Sequence, residues 1–83
     1  MTDQAREHDI HIEVNERPVT MTVREATGLA IKKAAIEQHV PIHEDFVLSE
    51  ELGERRSRVI GDTEMVKLHE HQKFIAVAPD DNS

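Results

Sequence analysis

Two runs of alternating apolar and polar residues, separated by a few turn-forming positions, most constrain what this chain can fold into. Ile10, Ile12 and Val14 alternate with His11 and Glu13, and after Asn15 to Pro18 the residues Val19, Met21 and Val23 alternate with Thr20, Thr22 and Arg24. A period of two places one set of side chains on a single face of a strand. The two runs therefore predict an N-terminal β-hairpin with one buried face, turning at Asn15 to Pro18. Ahead of it, residues 1–8 offer no apolar run to bury, and they read as a flexible leader without a signal peptide or membrane anchor.

One helical segment follows. Thr27 is a suitable N-cap because its hydroxyl accepts an orphan backbone N–H, and Val40-Pro41 ends the helix because a residue before proline disfavours α geometry. The helix is expected over roughly 28–39. At about 100° per residue, Leu29, Ile31, Ala35, Ile36 and Val40 fall on one broad arc, with Lys32 near its middle. Lys32 should bury its stem against the core and pair its ammonium with a carboxylate.

Beyond the helix, Phe46, Val47 and Leu48 make a short apolar run suited to a strand. Glu50 to Arg58 reads as a charged loop, Val59 and Ile60 as a short strand or bend, and Met65, Val66 and Leu68 as further apolar cover. Phe74 to Ala78 is a final apolar strand ended by Pro79. The predicted class is α+β, a mixed sheet of four to five strands packed on one main helix. With 83 residues, only one core is affordable, and with 2% aromatics it must be aliphatic around Phe46 and Phe74.

The order hairpin, helix, strand, crossover, strand resembles the ubiquitin-like β-grasp family, with the best local matches at Thr27–Lys32 and Val40–Asp45. Within that family Pro41–Glu50 and Phe74–Asp81 are most similar to bacterial multiubiquitin-type domains, here in one copy. The resemblance covers about residues 9–83, with a globular β-grasp domain at 9–78 and a flexible tail at 79–83. It implies Val47, Phe74 and Ala76 facing inward and Leu48, Ile75 and Val77 facing outward, the last three forming a protein-binding patch. It also implies a protein modifier of a bacterial ubiquitination-like pathway, handled by activating-like, conjugating-like and deubiquitinase-like partners; a non-covalent adaptor is the alternative.

The tail departs from the family. Pro79 to Ser83 match the length of ubiquitin's tail, but Asp80, Asp81, Asn82 and Ser83 stand where ubiquitin has two basic residues and a terminal Gly-Gly that threads a narrow channel. Three outcomes stay open: an activating-like enzyme accepts Ser83, a peptidase trims the tail, or the domain works without covalent attachment. The same departure speaks against a sulfur-carrier role.

Charge and composition exclude several functions. A net charge of −7 disfavours nucleic acid and anionic membranes, whose affinity rests on Lys and Arg. The chain has no cysteine, which removes disulfides and thiolate chemistry and fits a cytoplasmic location. His69-Glu70-His71, and His8 with His11, bring imidazoles close to carboxylates, but neither pair belongs to a metal motif such as HExxH. Ser49 and Ser57 lack a nucleophile elbow, and three glycines make no phosphate loop. The expectation is a chain that is no enzyme, with no cofactor and no metal.

Overall fold

A computed structural model describes residues 9–79. The elements are β1 (Ile10–Val14), β2 (Arg17–Met21), β3 (Glu25–Thr27), α1 (Gly28–Glu37), β4 (Val47–Gly53), β5 (Arg56–Ile60), β6 (Met65–Lys67) and β7 (Lys73–Val77). A five-stranded mixed sheet runs in the order β2-β1-β7-β4-β5, and β3 pairs with β6 in a separate ribbon. α1 packs across one face of the large sheet, the α+β arrangement of the ubiquitin-like β-grasp.

The hairpin forms as the alternation requires. Asn15 and Glu16 both take positive φ, 55° and 65°, the signature of a tight turn whose twist matches the flanking strands. Ile12, Val14, Val19 and Met21 are buried, whereas Val23 lies past the end of β2 and is exposed. Asn15 also reaches across to β7, where its side chain accepts from the Ala76 N–H at 2.8 Å and donates to the Ala76 carbonyl at 3.0 Å. That bracket extends the parallel pairing of β1 with β7 beyond Val14 and Phe74.

The Thr27 hydroxyl caps α1 by accepting from the Ala30 N–H at 3.1 Å. The helix closes two residues earlier than the Val40-Pro41 signal suggests, because His39 adopts φ 76° and returns the Val40 N–H to the Ala35 carbonyl. Its start is fixed by contact: a Cβ on Gly28 would meet the Gly61 carbonyl oxygen at 2.3 Å. Gly28 and Leu29 also donate to the carbonyls of Glu64 and Asp62. Only glycine permits that approach without displacing backbone.

The core joins Ile31 and Ala35 of the helix to Ile12, Val14, Val19, Leu48, Ile60, Phe74 and Ala76 of the sheet. Lys32 is inside it, 3% exposed, and its ammonium donates to the carbonyls of Glu44 and Phe46, each at 2.7 Å, and pairs with Asp62 at 2.8 Å. Three acceptors satisfy the three donors of an ammonium, which is what makes its burial tolerable. Lys32 thereby ties the helix to the segment entering β4 and to the crossover after β5.

Glu50 to Arg58 is not a loop. β4 continues to Gly53 and returns through Glu54 and Arg55 into β5, with a bulge between Glu51 and Gly53. From Glu51 to Val59 every residue is exposed, so the hairpin needs no apolar stripe and its composition resembles that of a loop.

Candidate protein-binding face

β7 alternates cleanly. Phe74 and Ala76 are buried under the helix, and Lys73, Ile75 and Val77 project from the opposite face. Its antiparallel partner β4 places Val47 beside Val77, Leu48 beside Ala76 and Ser49 beside Ile75. Residues that face each other across a ladder share a side of the sheet. Leu48 therefore lies with Ala76 in the core, 1% exposed, and the expectation of an outward Leu48 is corrected. Val47 takes its place on the bare face.

The physical cause is the register. Leu48 also sits opposite the buried Ile60 of β5, so strands on both sides turn it toward the helix. The observed outward group is Val47, Ile75 and Val77, joined through Ser49 by Val59 on β5. The exposures of Val47, Ile75, Val77 and Val59 are 39%, 38%, 53% and 63%. Ile75 and Val77 thus face outward as the family resemblance implies, Val47 faces outward where the resemblance implied inward, and Val59 is a member that the sequence did not indicate.

Charges frame the group. A shallow depression of about 320 Å³ borders Ile75 and is lined by Glu13, Glu51 and Lys73 among others. On the covered face, at the end of the sheet, Gln72 is buried and donates to the Glu50 carboxylate at 2.9 Å, while Arg58 spans Glu50 and Glu64. The Arg58 hydrogen bond, reinforced by the Gly61 N–H, holds the Glu64 carboxyl below its ordinary 4.5. Burial works against the ionised form of Glu70, but hydrogen bonds from the His11 ring and backbone outweigh it and keep that carboxyl low as well.

The remaining candidates do not come together as a reaction centre. Among the described residues no three His, Asp or Glu side chains converge as metal ligands. His11 is engaged with Glu70, and His69 turns its ring toward the Glu70 carbonyl. His8 and the tail residues Asp80, Asp81, Asn82 and Ser83 lie outside the described residues, as does the leader at 1–8. Pro79 is exposed just after β7. Among the described residues no helix is long and apolar enough to cross a membrane.

The family model for Multiubiquitin matches residues 10–80. The chain belongs to the Multiubiquitin family. The match runs from the first residue of β1 to just past Pro79, so it covers the whole sheet, the helix and both flanks of the bare aliphatic face. Neither the curated proteins nor the solved structures give a match to the chain. For a Multiubiquitin domain the ubiquitin-like fold described above is the expected one.

Proposed function

We propose that this Multiubiquitin domain is a protein modifier of a bacterial ubiquitination-like pathway, working in the cytoplasm. In this reading activating-like, conjugating-like and deubiquitinase-like proteins hold it by the bare sheet face and act on the segment Pro79, Asp80, Asp81, Asn82 and Ser83. The observation that carries the reading is the aliphatic group of Val47, Ile75 and Val77, with Val59 on the far side of Ser49, on the face the helix leaves uncovered. A small acidic domain has no folding reason to keep four branched side chains in water, and such clusters mark interfaces. Val77 is two residues from Pro79, so a protein seated on the face is within reach of the segment that follows. Five extended residues span roughly 17 Å, enough to enter a groove on the seated partner.

The two aspartates call for a basic groove, which would reject ubiquitin's basic terminus by charge. The test is intact-mass measurement after incubation with candidate activating-like and conjugating-like proteins. The expected result is a mass increase or a trimmed product that disappears when residues 79–83 are deleted. Binding through the Val77 face with no change of mass, with or without residues 79–83, would replace this reading with that of a non-covalent adaptor.

A further inference from the structure

The five-stranded sheet has two free edges, β2 and β5, and the two are finished differently. On β2 the outward positions are Pro18 and Thr20. Pro18 has no N–H, and Gln38, just past α1, takes both groups of Thr20, accepting from its N–H and donating to its carbonyl at 2.8 Å each. That edge is closed to another strand.

On β5 the outward groups follow from the ladder. The Asn15 N–H donates to the Phe74 carbonyl at 3.0 Å, so Phe74 faces β1 and its neighbours Ile75 and Val77 face β4. Ser49 and Val47, their opposite residues, are thereby turned to β7, which leaves Leu48 and Glu50 to bond β5 through Ile60 and Arg58. The N–H and C=O groups of Ser57 and Val59 then point off the edge. Among the described residues no turn, loop or side-chain hydrogen bond reaches them.

We propose that the β5 edge binds an extended segment of another protein that alternates acidic and aliphatic residues and adds to the sheet as a further strand. The chemistry of both faces specifies the alternation. On the bare side the added strand meets Val59 and continues the aliphatic group of Ile75 and Val77. On the other side it meets Arg56, and the turn adds Arg55; among the described residues neither makes an ion pair, whereas Arg58 is already held by Glu50 and Glu64. Three of the six arginines of a chain of net charge −7 stand on this one hairpin. Main-chain bonds supply the grip, and the alternate side chains select the sequence. A second copy is a poor occupant: antiparallel pairing centred on Ser57 or on Arg58 sets arginine against arginine. This interface goes beyond the bare face and does not depend on the modifier reading.

The experiment titrates the full chain with a short capped peptide of alternating valine and glutamate and follows backbone amides by NMR. Amide shifts centred on Ser57 and Val59 are expected, with affinity falling at least about fivefold in the double variant Arg55→Glu/Arg56→Glu. Ser57→Pro removes an edge N–H that the native sheet does not use, so it should keep the fold and lose the peptide. If that variant fails to fold, the same peptide N-methylated along its backbone takes its place and should not bind. No shift at Ser57 and Val59, shifts centred on Thr20, or equal binding of a valine–lysine peptide would overturn the proposal. So would sedimentation showing that the free chain already pairs through β5.

Discussion

Val47 and Leu48 are neighbours on one strand and belong to two different regions of the molecule. Leu48 is enclosed by Ile60, Ala76 and the helix side of the sheet, whereas Val47 stands in the open beside Val77. On the covered side, packing and buried hydrogen bonds determine each residue. On the bare side, folding leaves the choice almost free, which is why the function proposed above reads the aliphatic residues there as an interface.

The strongest challenge to the covered side is Lys32→Glu. It places a carboxylate against the Glu44 and Phe46 carbonyls and beside Asp62, and removing a partner from a buried charged contact costs about 3–5 kcal/mol. Chemical denaturation should show that loss; a midpoint equal to the parent's would mean that Lys32 does not tie the crossover to the helix. Next, Leu48→Ala should cost about 2–5 kcal/mol and Val47→Ala within about 0.5 kcal/mol, measured side by side. Similar losses for the two would erase the contrast between the faces.

A smaller effect is expected at the helix start, where Gly28→Ala forces a methyl onto the Gly61 carbonyl and should lower stability by about 1–3 kcal/mol, read from thermal unfolding. Val77→Asp sharpens the comparison from the other side: stability should stay within about 0.5 kcal/mol while affinity for a partner seated on the bare face drops by more than about 1 kcal/mol. Loss of the fold instead would place Val77 in the core. The least effect is that of acid. Glu64 is held below its ordinary 4.5 by Arg58, so its contribution is present above that value and fades as pH falls through the lower folded-state one. Denaturation midpoints taken from about pH 6 down to about pH 3 should decline, and Arg58→Gln should flatten that decline.

Much of the covered side was legible in the sequence. The alternation in β1 and β2, the Thr27 cap and the placement of Lys32 each follow from a local rule with one physical solution. The parity of β4 did not, because Phe46, Val47 and Leu48 are three consecutive apolar residues and Ser49 and Glu50 are both polar. An aliphatic residue on the bare side and Glu50, on the covered side with Gln72 and Arg58, cancel the period-two signal. Only the partners Ala76 and Ile60, distant in sequence, fix which way Leu48 turns. The β4–β5 hairpin was hidden for a related reason: with both its faces exposed, nothing in it has to be apolar. The aliphatic face itself was half legible, since the family resemblance places Ile75 and Val77 outward although Phe74 to Ala78 are all apolar, whereas Val47 and Val59 join them through cross-strand pairing.

The Asn15 bracket on Ala76 has a mechanical consequence. Because β1 and β7 are parallel, a load that draws the start of β1 and the end of β7 apart runs along the strands and across their hydrogen bonds. The Glu13–Gln72 and Asn15–Phe74 main-chain bonds and the two side-chain bonds to Ala76 then bear the force together and cannot peel one by one. Pulling on the segment after Val77, as an unfolding motor would, meets a shear clamp at its first step. In single-molecule stretching by the two ends, Asn15→Ala should lower the unfolding force; an unchanged force would place the clamp elsewhere.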